Sequence, residues 1–268
     1  MRRVFLFLVA VLTVASPVAA DGSGLRRLNT GDENRGWEAV GRLDLDGREL
    51  CTGALIEPDL VLTAAHCLFD RTTKQRVDPA RIEFLAGWRN GRASAYRWIR
   101  RAVVHPDYEF SHNIIADRVR NDVALLELHH PIRNTRVRPF PTDQRPREGQ
   151  RIGIVSYGKG RYEAPSLEEM CDVMTQHRGV LVMSCDVDFG SSGAPIFTFE
   201  TGRPRVVSVV SGMAEVDGRK VSLGTQLEKP LQILKAQLAS GQGVFQAPPP
   251  KTSGVGERRD IGAKFAKP

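Results

Sequence analysis

The sequence predicts an all-β protein made of two packed antiparallel β-barrels with a short closing helix. Three observations carry this reading. Short apolar runs recur between turn-forming residues, a cadence that suits sandwiches or barrels and not βαβ units. A stretch rich in proline and arginine, Pro131–Arg147, divides these runs into two sets and reads as the crossing between two halves. The length left after an N-terminal signal, about 248 residues, suits a double barrel.

Residues 1–20 read as an export signal: Arg2 and Arg3, an apolar run from Val4 to Val14, then small residues ending at Ala20. The apolar run is shorter than the roughly 20 residues of a membrane span. Residues 21–35 are polar and lack an apolar period, so a flexible arm or propeptide is expected there. The main domain is placed at 36–240, with a first barrel over about 36–130, a second over about 145–228 and the closing helix at about 230–239. In the first barrel, strands are expected at Val40–Leu45, Glu49–Ile56, Leu60–Thr63 and Val123–Leu128. Asp46-Gly47 marks a tight hairpin between the first two. Asn90-Gly91, His105-Pro106-Asp107 and Asp217-Gly218 are further turn signals. The second barrel draws on Arg151–Ser156, Val180–Met183, Ala194–Phe199, Val206–Ser211 and Val221–Leu227. Leu231, Leu234 and Leu238 have helical spacing behind Pro230. Residues 241–268, with Pro248-Pro249-Pro250, are expected to form a disordered basic tail. No internal repeat is visible.

The net charge is +7, with basic clusters near Arg89–Arg101, Arg133–Arg138 and Arg258-Arg259. No stripe interleaved with aromatics accompanies them, so the reading is a solvated basic surface and not a nucleic-acid interface. Four cysteines in an exported chain suggest two disulfides, for which three pairings exist. Neither CxxC nor HExxH occurs, so no metal is expected.

Three distant segments carry the chemistry. His66 closes Val61-Leu62-Thr63-Ala64-Ala65, where a strand ends in two small residues, and adjacent Cys67 can bond Cys51 on the preceding strand. Such a bridge contributes roughly 3 kcal/mol in the chain-entropy model and fixes a turn that a general base needs held still. Asp122 stands at the mouth of the apolar run Val123–Leu126, where a carboxylate must be hydrogen-bonded to be tolerated. Ser192 lies in Gly190-Ser191-Ser192-Gly193-Ala194-Pro195. Gly190 permits a backbone shape that lets the Gly190 and Ser192 N–H groups converge on one spot, as an oxyanion requires. Each segment alone has a plain explanation: a structural histidine, a turn aspartate, a flexible loop. Together, in the order His, Asp, Ser, they form a catalytic triad.

On CTGALI, VLTAAHC, VVHPDY, NDVALLEL and GSSGAPIF, the chain resembles the chymotrypsin/trypsin-like serine endopeptidases, in particular the bacterial trypsin-like and glutamyl-endopeptidase-like branch, over about Trp37 to Leu238. The resemblance implies the chymotrypsin-like fold, peptide-bond hydrolysis by His66, Asp122 and Ser192, and no cofactor. Animal trypsins place before the nucleophile an aspartate that receives the new N-terminus. Here that position is Ser191, and no Ile-Val-Gly-Gly start is present, so activation by an N-terminal ion pair is not expected. Cys171 and Cys185 flank Arg178-Gly179 almost symmetrically, within disulfide reach if two strands fold back there. Counting back as in trypsin puts Asp186 at the pocket base, with Asp188 competing, and Ser211 and Met213 in the pocket wall. No histidine stands beside Ser211, which argues against glutamate selectivity. The expected partner is a protein or peptide substrate of a monomeric, secreted or periplasmic enzyme without stable membrane insertion. The alternative is a catalytically silent binding protein on the same fold.

Overall fold

The computed structural model describes residues 24–110, 116–143 and 146–246. The expected signal segment and all of the basic tail beyond Gln246 lie outside the described residues. Two six-stranded antiparallel sheets each close on themselves into a barrel.

The first barrel contains β2 (Val40–Leu45), β3 (Glu49–Glu57), β4 (Leu60–Thr63), β5 (Ile82–Ala86), β6 (Ala95–Val104) and β7 (Ala124–Leu128), closed by the β6–β7 pairing. The second contains β8 (Arg151–Ser156), β9 (Ser166–His177), β10 (Val180–Met183), β11 (Pro195–Thr198), β12 (Arg205–Val216) and β13 (Arg219–Gln226), closed by β8–β9. Four described hairpin turns run through a residue and a glycine that both have positive φ: Asp46-Gly47, Asn90-Gly91, Arg178-Gly179 and Asp217-Gly218. That backbone matches the twist of the flanking strands, which is why glycine takes the second place each time.

Two short strands extend these sheets. β1 (Arg26–Arg27) pairs with β9, and neighbouring Leu28 is fully buried, so the part of the N-terminal arm within the described residues is docked, not flexible. β14 (Phe245–Gln246) pairs with β6, so the expected disorder beyond Ser240 does not hold for Gly241–Gln246. A two-residue strand shows no alternation in a sequence, and its pairing is set by the sheet edge it meets. A helical turn, α1 (Ala116–Asn121), precedes Asp122, and α2 (Glu228–Ser240) seats Leu231, Leu234 and Leu238 on the first barrel. Gly241 ends α2 in the left-handed conformation.

The barrels are joined by aromatic packing. Trp37 from the arm, Phe140 from the inter-barrel connection and Phe197 from β11 meet with ring centroids 4.7–5.9 Å apart. Polar ties reinforce the seam. Tyr157 Oη donates to the Trp88 carbonyl at 2.8 Å, and Asn90 N–H to the Glu163 carbonyl at 2.6 Å. Both disulfides form as the sequence suggests, Cys51–Cys67 and Cys171–Cys185.

Candidate active site

His66 sits in a short 3-10 turn, Ala65–Leu68, directly after β4, and Cys67 in the same turn is bridged to Cys51 of β3. Thr63 Oγ1 donates to the Thr52 carbonyl at 2.9 Å, a second tie between the His-bearing strand and its neighbour. Asp122 lies between α1 and β7 and is wholly buried. Both its carboxylate oxygens are used. Oδ1 accepts the His66 backbone N–H at 2.8 Å, while Oδ2 contacts His66 Nδ1 at 2.7 Å and accepts the Ser211 hydroxyl at 2.5 Å.

Burial by itself would push the Asp122 pKa up, but the His66 charge and the hydrogen bonds from His66 and Ser211 outweigh it and hold the carboxyl below its ordinary value. An ionised carboxylate only accepts, so Nδ1 of His66 carries the proton. In the neutral form of the ring, Nε2 is the acceptor, and Cys67 Sγ lies 3.9 Å from it.

The turn carrying Ser192 runs from Asp188 to Ala194, between β10 and β11. Gly190 has φ 99° and Gly193 φ 76°, values that only glycine takes without strain. The turn is pinned to the first barrel, because Thr52 N–H donates to the Ser192 carbonyl and Thr52 Oγ1 to the Gly190 carbonyl, both at 2.8 Å. Gly193 packs so closely that a Cβ there would lie 2.1 Å from Thr63 Oγ1 and 2.9 Å from Ala64 N. The serine turn is thus pressed onto the strand end that leads into His66.

Within the turn, Ser191 N–H donates to Asp188 O, Gly193 N–H to Val210 O and Ala194 N–H to Ser191 O. Neither the Gly190 N–H nor the Ser192 N–H has an acceptor among the described residues. The Ser192 hydroxyl likewise makes no hydrogen bond among them. These are the two amides and the one hydroxyl that the sequence singles out. Both amides are therefore open to an acceptor, Gly190 being buried and Ser192 half-buried.

Ser191, at the position where animal trypsins carry an aspartate, is fully buried. Its hydroxyl oxygen lies 3.3 Å from Asp188 N, 3.2 Å from Ser156 Oγ and 3.2 Å from the Tyr157 carbonyl. It also accepts from Arg161 Nη2 at 3.3 Å, and Arg161 Nη1 donates to the Ser156 carbonyl at 2.9 Å. Burial lowers the Arg161 pKa, while the charges of Asp186, Asp188 and Glu168 pull it back up. A cation supplied from within the chain therefore braces the turn. Nothing in the sequence around Arg161 distinguishes it from the other surface arginines, so its role was not legible.

The pocket residues are placed less simply. Ser211, expected in the pocket wall, instead sends its hydroxyl to Asp122. A register shift between Val210 and Gly212, on either side of it, breaks the alternation of β12. Met213 lies further along β12 and is partly exposed. Asp186 is exposed and its backbone N–H donates to Glu168 Oε2 at 2.8 Å, while Asp188 Oδ1 accepts the Phe189 N–H at 2.7 Å. Glu168, buried on β9 beside these groups, has its pKa pushed up to about 7, chiefly by burial.

This double barrel, with an imidazole–carboxylate pair at the seam and a serine turn carrying two open amides, defines the class of trypsin-like serine proteases. Residues 29–224 match the family model described as Trypsin, and the chain belongs to that family. It is 31% identical over 191 residues to "Serine protease 23" of Mus musculus, covering 62% of this chain and 49% of that protein. It is 31% identical over 167 residues to "Kallikrein-15" of Homo sapiens, covering 60% and 59% respectively. The chain spans about half the length of the Serine protease 23 relatives it matches. Among solved structures, "Structure of Glu endopeptidase in complex with MPD" superposes with a TM-score of 0.64 at 16% identity, covering 84% of this chain and 99% of that one. At that identity the likeness speaks for the fold.

Proposed function

We propose that this protein is an exported serine endopeptidase. Ser192 Oγ attacks the peptide carbonyl, and His66 Nε2 takes its proton and returns it to the leaving amine. Asp122 fixes the His66 tautomer and stabilises the imidazolium. The Gly190 and Ser192 amides hold the oxyanion until water frees the acyl-enzyme. The observation that carries this reading is the pairing of a fully hydrogen-bonded Asp122–His66 unit with two acceptor-less amides flanking a free serine hydroxyl. Two disulfides support export, because such bonds persist in oxidising compartments. No described helix is long and apolar enough to cross a membrane.

For specificity we assign Asp186, with Met213 in the wall and the Ser211–Met213 backbone pairing with extended substrate. An acid there favours Lys or Arg at the cleaved bond, with Asp188 as competitor. Selectivity for glutamate is not adopted, since carboxylates at 186 and 188 would repel it. The test is labelling by a fluorophosphonate probe, with cleavage profiling of a peptide library, on wild type and Ser192→Ala. Labelling and cleavage confined to the wild type are expected. An unlabelled, inactive wild type would make the chain a silent binding protein instead.

A further inference from the structure

Arginines that the sequence scatters over four segments meet around one cleft. A cavity of about 990 Å³ opens where the N-terminal arm, the turn after β5, the inter-barrel connection and the turn between β11 and β12 come together, and it shares no residue with the His66–Asp122–Ser192 site. Arg35, Arg89, Arg92, Arg136, Arg138 and Arg203 line it, against two acids, Asp32 and Glu38. Arg35 is taken by Asp32 at 2.5 Å, and Glu38 accepts the Gly36 N–H at 2.7 Å. Arg89 and Arg138 donate to the carbonyls of Asn29 and Thr135. The side chains of Arg92, Arg136 and Arg203 have no hydrogen bond or acidic partner among the described residues. Five guanidinium groups thus border one concavity without a carboxylate paired to any of them.

Such a ring repels itself and sets up a positive potential that a ligand carboxylate relieves, and the guanidinium fork matches a carboxylate in shape. The walls between the arginines are apolar, formed by Pro139, Phe140, Pro141 and Pro204. Asp32 and Glu38 oppose a ligand charged at every unit, such as a sulfated polysaccharide. A polypeptide with carboxylates spaced by apolar residues satisfies both features. Asn34 in the wall is 4% exposed, and its Oδ1 has no hydrogen-bond partner. A peptide N–H can donate to it once the amide turns toward the cleft.

We propose that this cleft is an exosite for acidic segments of protein substrates. The exosite role rests on the peptidase reading, while binding itself does not. The test uses full-length Ser192→Ala protein and a fluorescein-labelled peptide of alternating glutamate and proline, followed by fluorescence anisotropy. Saturable binding that weakens with salt is expected. The triple change Arg92→Gln, Arg136→Gln and Arg203→Gln is expected to weaken it about tenfold or more. In the background with Ser192 intact, the same triple should leave turnover of a short neutral reporter peptide unchanged. No saturable binding overturns the proposal, as does binding that the triple leaves intact. Tighter binding of a heparin-derived oligosaccharide of equal charge also overturns it. Should the triple fail to fold, the salt series on Ser192→Ala alone decides, since affinity indifferent to ionic strength is incompatible with guanidinium–carboxylate contacts. Fluorophosphonate labelling is scored separately. Peptide binding without labelling of Ser192 keeps the binding site and removes the peptidase reading, whereas labelling without peptide binding removes the exosite.

Discussion

At the scale of single residues, Asp122 is wholly buried and held from three sides. Three donors converge on its two oxygens: the His66 backbone N–H, the His66 ring and the Ser211 hydroxyl. An amide cannot accept all three, so Asp122→Asn should force the imidazole into the other tautomer and lower kcat by roughly 10⁴-fold while the fold persists. Steady-state kinetics beside a thermal melt would show this. Ser211→Ala removes one donor to a buried charge, and a loss of about 1.5–3 kcal/mol in stability is expected by denaturant titration. Arg161 acts at one remove. Its guanidinium braces Ser191, and Ser191 shapes the turn that leaves the Gly190 and Ser192 amides open. Arg161→Met should therefore reduce kcat by about 10²-fold with KM little changed, as expected when oxyanion donors are misplaced. Arg161→Lys should restore part of the rate. An equal loss for both substitutions, carried by KM, would count against the bracing role.

At the scale of elements, the serine turn and the strand end before His66 are one mechanical unit. A Cβ at Gly193 would fall 2.1 Å from Thr63 Oγ1 and 2.5 Å from the Thr52 carbonyl, and φ there is 76°. Gly193→Ala should thus cost on the order of 3 kcal/mol or more, or prevent folding, whereas Gly218→Ala in an open hairpin turn should cost less. Comparative melts would rank the two. The elements legible in the sequence were those with both an apolar run and a bounding turn, so β2, β4, β8 and β10 fall where the pattern puts them. By contrast, β6 and β9 are long and mixed in character. Their exposed faces carry Arg97, Arg100, Glu169 and Asp172, and their pairing comes from barrel closure, which no local window shows. The same division holds at the site. The His66–Asp122 contact was legible because each residue ends or opens a recognisable run, and Gly190 and Ser192 were singled out because they interrupt one. The Ser211–Asp122 contact and the Arg161 brace depend on juxtapositions across 89 and 30 residues that spacing cannot reveal.

At the scale of the whole molecule, two buried carboxylates should set opposite pH limits on stability. Asp122 has its pKa lowered on folding, so the stability it contributes is present above its unfolded value, near 3.9, and is lost as pH falls through the folded value. Glu168 behaves in the reverse sense. Burial first, then the Asp186 charge, raise its pKa to about 7, against the Asp186 N–H bond and the Arg161 charge that lower it. Between an unfolded value near 4.3 and about 7, the folded state holds a proton that the unfolded state has released. Stability from this group is complete below the unfolded value and declines as pH rises through 7. The melting temperature of the wild type should therefore drop between pH 5 and pH 8, by about 2–4 °C for each kcal/mol lost. Glu168→Gln, which keeps the shape and cannot ionise, should flatten that decline and leave the acid limb set by Asp122 in place. Melting curves across this range on the two proteins, both carrying Ser192→Ala to prevent self-digestion, separate the two carboxylates. An unchanged slope in Glu168→Gln would mean that another group releases the proton.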